Sequence, residues 1–196
     1  ESEDALWEFV SRETLIKELL NKERTDATFL IANADIGKNI TEIGWQGSSF
    51  GTGGYHNEYE SSTCAEVWDN NFDVYQTLEN IPNGKYSLKV KGFYRYNTNS
   101  ENSDLIALES HSDGTEHLYA KLYAKSGTNS AEHSLQSIAS EIDQIQDLGL
   151  YASNYGMPYS MEESARAFSN GLYSDNEIVI EVTNNNLTIG IKKEQK

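Results

Sequence analysis

The chain has 196 residues, with 15 basic against 31 acidic side chains and a formal net charge of −16 at pH 7. That length suits one domain, and a negative field of this size repels phosphate backbones and anionic headgroups, which argues against nucleic acid and membrane surfaces as partners. A single cysteine, Cys64, rules out an intrachain disulfide and a cysteine-built zinc site.

The acidic residues are spread along the chain, as on a solvated surface, rather than gathered into an interaction tail. No apolar run approaches the ~20 residues that span a bilayer, so no membrane insertion is expected.

From Ser2 to about Glu23, Leu6, Phe9, Val10, Leu15, Ile16, Leu19 and Leu20 recur at helical spacing, which predicts an amphipathic N-terminal helical segment over residues 1–24. The run from Asp26 to Asn33 reads as a first strand, followed by a polar loop up to Gly44 and Trp45. Gln46 to Thr63 holds Gly47, Gly51, Gly53 and Gly54 with little periodicity and reads as a long loop, the kind of segment that carries binding residues.

Phe72–Leu78 and Tyr86–Tyr96 read as strands on either side of the turn Pro82-Asn83-Gly84. Thr115–Ala124 alternates, with Leu118, Ala120, Leu122 and Ala124 on one side and His117, Tyr119, Lys121 and Tyr123 on the other. Leu135, Ile138, Ile142 and Ile145 fall three and four apart and predict a helix over Ser130–Asp147. A second helix is predicted over Ser160–Asn170, with Ser160 as cap, Glu163 at the capping-box position and Gly171 as stop. Glu177–Thr183 and Leu187–Lys192 then read as a hairpin across Asn184, Asn185 and Asn186.

Strands at both ends with a helical insertion at about 130–170 predict an all-β fold, an antiparallel two-sheet sandwich over residues 25–196. Its core is expected to include Leu88, Val90, Leu122, Ile178, Ile180, Ile189 and Ile191, each on the apolar side of an alternating strand.

Several stretches add a family-level likeness: DATFLIAN at 26–33, the Gly-Trp pair at 44–45, AEVWDNNFDVYQTLENIPNGKYSLKVKGFYRY at 65–96, LYAKLYAKSGT at 118–128 and SMEESARAFSNGLYSDNEIVIEVTNNNLTIGIKK at 160–193. In this order they resemble the galactose-binding-like, jelly-roll β-sandwich domains of secreted and surface proteins of gut Bacteroides and Prevotella. The family pattern continues with a tryptophan-bearing strand beyond the point where this sequence stops, so an edge completed by further residues or by a partner is an expectation. The resemblance implies a non-catalytic carbohydrate-binding module, secreted or at the cell surface and attached to other domains, with its leader outside this chain.

Sugar recognition needs aromatic faces for the C–H surfaces of pyranose rings and polar groups for the hydroxyls. Tyr55, His56 and Tyr59 in the glycine-rich segment, with Trp68 before the next strand, are the candidate carbohydrate-binding residues. Trp45 and Arg95 read as structural, the first as corner packing and the second as a paired, partly buried cation. Tyr119 and Tyr123 share a strand face and are expected to be buried beneath the helices.

Asn33, Asp35 and Asn39 are the candidate ligands for a structural calcium, and no other cofactor is expected. The four histidines lack metal-ligand spacing. Two further classes stay open: a structural or adhesion module that binds protein or spaces other domains, and a jelly-roll polysaccharide-degrading enzyme. No phrase singles out the paired carboxylates that the enzyme needs.

Overall fold

The computed structural model describes residues 14, 16, 26–35, 43–56, 61–68, 71–96, 102–150 and 155–194, apart from the side chains of Tyr55, His56 and Ser61. Strands predominate. Phe72–Glu79 (β4), Ala120–Ser126 (β7), Asn129–Ser134 (β8), Asn186–Lys193 (β11) and the short Gln46–Gly47 (β1) form one antiparallel sheet in the order β1-β4-β11-β7-β8. Gly84–Val90 (β5) pairs antiparallel with Asn176–Val182 (β10). The inward residues of this pair, Ile178, Ile180 and Val182, share one core with Leu78, Leu122, Ala124, Leu187 and Ile189 of the larger sheet. The arrangement is compatible with a β-sandwich.

The two layers are joined by two arches. β4 pairs with β11, and β5 with β10, so the turn at Pro82-Asn83-Gly84 and the turn at Asn184–Asn186 each carry the chain from one layer to the other. The expected hairpin between the last two strands is therefore absent: β10 and β11 lie in different sheets. Residues at positive φ make both arches tight, Asn80 at 56° and Asn185 at 60°, where a short polar side chain is tolerated. The arches are stitched together. Ile81 N–H donates to the Asn185 carbonyl (3.0 Å), Asn185 Nδ2 donates to the Ile81 carbonyl (2.9 Å), and Asn185 N–H donates to Asn83 Oδ1 (2.8 Å).

The ladder between β5 and β10 stops at Val90, opposite Asn176. Asn176 is completely buried, and its Nδ2 donates to the carbonyls of Val90 (3.2 Å), Gly92 (2.9 Å) and Tyr173 (2.9 Å) while Oδ1 accepts from Gln136 N–H (2.7 Å). These bonds take the place of further ladder pairing, and the chain leaves β5 for the two-residue strand Phe93–Tyr94 (β6). That strand pairs parallel with Gln136–Ser137 (β9). The single strand expected over Tyr86–Tyr96 is thus two.

Other expectations shift for local reasons. The run at 26–33 is not a strand: Thr28–Leu30 is a turn of 3-10 helix begun by Asp26, whose Oδ1 accepts from Thr28 N–H (2.9 Å). Gln46–Thr63 is not one long loop but contains a hairpin, Gly51–His56 (β2) with Ser61–Glu66 (β3). Its glycines serve close approach: a Cβ at Gly53 would stand 2.9 Å from the sulfur of Met161. The predicted helix over Ser130–Asp147 begins as β8 and β9, passes through a 3-10 turn at Ile138–Glu141 and is α-helical only over Ile142–Asp147. Side chains three and four apart there still find one buried side, since Leu135, Ile138 and Ile145 are all buried.

Three α-helices occur among the described residues: Ser103–Ser112 (α1), which no sequence signal announced, Ile142–Asp147 (α2) and Met161–Ser169 (α3). α3 begins as predicted, with Ser160 Oγ accepting from Glu163 N–H (3.2 Å). The Glu163 carboxylate reaches past the cap to Tyr159 N–H (2.6 Å), and Gly171 at φ 88° ends the helix. Of the N-terminal helical segment, only Thr14 and Ile16 are described; both have helical backbone, and Ile16 packs on the main core.

Leu122, Ile178, Ile180 and Ile189 are buried as expected, while Leu88, Val90 and Ile191 are half-buried against the same core. Tyr123 is buried, but not beneath a helix. It lies on the outer face of the large sheet over Gly190, its hydroxyl donates to Asp73 Oδ1 (2.7 Å), and Lys125 and Lys192 stand beside its ring. Burial raises its pKa first, with the Asp73 carboxylate adding to the shift. On the same face, Lys121 hydrogen-bonds Glu132 and holds that carboxyl below its usual range, with Lys192 also helping at 3.7 Å.

Two outcomes follow from these contacts. Asn176→Ala removes a donor from the carbonyls of Val90, Gly92 and Tyr173, the last of which keeps the Gly92 N–H, and removes the acceptor of Gln136 N–H; it should cost about 2–4 kcal/mol, and Asn176→Asp at least as much, read as a lower urea midpoint. Glu132→Gln should lower stability by less than about 1 kcal/mol at neutral pH, because the pair is exposed. A depressed carboxyl stabilises the fold above its unfolded pKa, so this deficit should vanish as pH falls through the acid range of Glu132, measured by urea titration at several pH values.

Candidate functional site

β4, β5 and β11 reach the arches at one end; at the other end they border a cleft of about 750 Å³. Val90, Phe72, Val74 and Ile191 form its floor from the two layers, and β3, β6 and the 158–164 segment wall it. Cavities of this size take small organic ligands.

Aromatic rings dominate the walls. Trp68 and Tyr159 are each 57% exposed, and Tyr119 is 36% exposed, although all three line the cleft. Tyr94 is buried, and its ring meets Tyr119 edge-on at 6.2 Å. Arg95 fixes one side: its Nη2 makes a bidentate pair with Asp104 (2.7 and 2.9 Å), and its guanidinium lies over the Tyr159 ring at 5.1 Å. Arg95 is therefore the paired, partly buried cation expected from sequence, and it also braces a cleft ring.

Cys64 lines the inner wall, where Sγ donates to the Met161 carbonyl at 3.4 Å. Burial, with the nearby Glu66 carboxylate, pushes its thiol up to about 11.

Of the residues singled out from sequence, Trp68 lies in the cleft. Tyr55 and His56 lie on β2, opposite Ser62 and Ser61, with their side chains outside the described set, and Tyr59 lies outside the described residues. Asp35 also lines the cleft. Asn33 sits nearby in the chain at φ 50°, its carbonyl accepting from the Trp45 indole N–H (3.1 Å), and Trp45 packs on the core as expected. Asn39 lies outside the described residues, and among those described no three His, Cys, Asp or Glu side chains gather as a metal site.

Sequence reading missed Tyr159, which sits just before the Ser160 cap in a tyrosine-bearing loop. It also buried Tyr119, which the structure leaves at the cleft mouth because β7 begins only at Ala120.

No protein-family model, no curated protein and no solved structure matches the chain. Among the described residues no helix is long and apolar enough to cross a membrane.

Cys64 gives a direct test of the cleft wall. At neutral pH its thiolate fraction should be about a hundredfold below that of an ordinary cysteine. Alkylation by iodoacetamide should be correspondingly slow and should accelerate only as pH approaches 11. Rapid labelling at pH 7.5 would show an open, ordinary thiol.

Proposed function

We propose that this chain is a non-catalytic glycan-binding module of a secreted or cell-surface bacterial protein, built as a jelly-roll, galactose-binding-like sandwich, and that the cleft is its ligand site. The observation that carries this reading is that three of the five exposed aromatic rings among the described residues, Trp68, Tyr159 and Tyr119, line one cavity, while Phe29 and Tyr155 lie outside it. Large apolar side chains left at a concave, polar-edged surface mark a binding site. Aromatic faces in that setting suit the C–H face of a pyranose ring, and the hydroxyls of Tyr119, Tyr159 and Ser164 supply polar partners for a sugar.

Binding rather than catalysis is favoured at Asp104, whose two carboxylate oxygens both accept from Arg95 Nη2 and so brace the cleft rim. The sequence candidates Tyr55 and His56 lie on β2, whose partner strand β3 walls the cleft.

A glycan array probed with the whole chain tests this reading. Trp68→Ala and Tyr159→Ala should each weaken retention of the bound glycan by about three- to tenfold, with the melting temperature changed by only a few degrees. Tyr123→Phe, on the far face of the large sheet, should leave retention unchanged. An array without signal, or two ring variants that bind as the parent does, would refute the assignment.

A further inference from the structure

The cleft runs against the charge of the chain. Its described wall holds four basic residues, Lys89, Lys91, Arg95 and Lys193, and two acidic ones, Asp35 and Glu66, although acids outnumber bases 31 to 15 overall. Three of the four cations are engaged. Lys89 stands 3.1 Å from Glu177, Arg95 holds Asp104, and Lys91 donates to the Phe168 carbonyl at 2.8 Å.

Lys193 differs. It is only 8% exposed, and no carboxylate among the described residues pairs with it. Its ammonium lies 5.9 Å from the centre of the Tyr94 ring, another wall residue. The alternation of β11 puts it there: Leu187, Ile189 and Ile191 face the core, and Lys193 is the next inward position, at the end of the strand where the layers open into the cleft. Its stem is packed into the wall while its ammonium, which is not among the fully buried unpartnered atoms, is presented at the cleft where an anion can meet it.

We propose that Lys193 is the anion-recognising group of the cleft and that its glycan is acidic. A carboxylate or sulfate on the sugar pairs with the Lys193 ammonium while the ring lies against the aromatic wall. This inference rests on the glycan-binding reading above and narrows it. The negative surface does not forbid such a ligand, because exposed charges are screened beyond about 8 Å at physiological salt, whereas Lys193 acts at contact distance. A lysine that merely packed on Tyr94 would be replaceable by methionine without consequence for binding.

The test is affinity electrophoresis and calorimetry of the whole chain with polygalacturonate, its methyl-esterified form, sulfated dextran and a neutral β-galactan. The parent should bind one of the two polyanions about tenfold or more tighter than the neutral polymers, and the polymer retained distinguishes carboxylate from sulfate. Lys193→Gln and Lys193→Met should both lose that margin while keeping the weak retention of neutral polymer. Methionine, apolar and of similar length, keeps the comparison valid if glutamine lowers the melting temperature. Equal binding of charged and neutral polymers by the parent, or a polyanion preference that survives both substitutions, overturns the role of Lys193 and leaves the glycan reading standing. No retention of any polymer, together with a glycan array without signal, overturns both.

Discussion

One buried amide decides where the paired strands end and the cleft begins. Asn176 spends its side chain on the carbonyls of Val90, Gly92 and Tyr173 and on the N–H of Gln136. A carbonyl that leaves a ladder inside a protein must find another donor or pay for desolvation. Asn176 supplies that donor at the point where β5 breaks away from β10. The break sends Phe93, Tyr94, Arg95 and Tyr96 into the cleft wall instead of onward along a sheet face. The same side chain anchors the segment that leads to α2 and the turn at Tyr173, whose ring packs against Phe93 at 4.8 Å and whose hydroxyl donates to the Ile138 carbonyl at 2.8 Å.

At the opposite end the stitched arches hold the two layers together. Ile81 is almost completely buried between them, and the asparagines that make the turns also make the bonds across them. Two layers closed at one end and held open at the other concentrate their ligand-sized space at the open end, where short elements and loops supply the side chains. Binding residues carried on such segments are positioned by a scaffold that need not change when they do. The bidentate Arg95–Asp104 pair extends this rigidity to the rim, since it ties α1 to the strand that bears Tyr94 and presents Arg95 to the Tyr159 ring.

The electrostatic design of the molecule separates two scales. Across the surface the excess of carboxylates makes the overall field negative. Among the described residues of the cleft, basic side chains outnumber acidic ones, and one of them occupies a position that the strand pattern reserves for an apolar residue. A local departure from binary pattern at an inward position is where function is expected to intrude on folding.

The strands β4, β5, β10 and β11 and the helix α3 were legible from sequence, because alternation, three-four spacing and a Ser-x-x-Glu cap act over a few residues. Trp45 packing and the Arg95 pairing could likewise be read from residue type and setting. The partners of each strand could not. A three-residue turn with a tolerant asparagine serves a hairpin or an arch equally, and only the competition among all strands for neighbours selected β4 with β11 and β5 with β10. The glycines of β2–β3 looked like a loop because their value lies in the approach of Met161 from far along the chain. Sequence reading singled out Trp68, which lines the cavity. Tertiary structure alone brought Trp68, Tyr119, Tyr159 and Lys193 to one cavity, because their convergence depends on contacts between segments that local patterns do not encode.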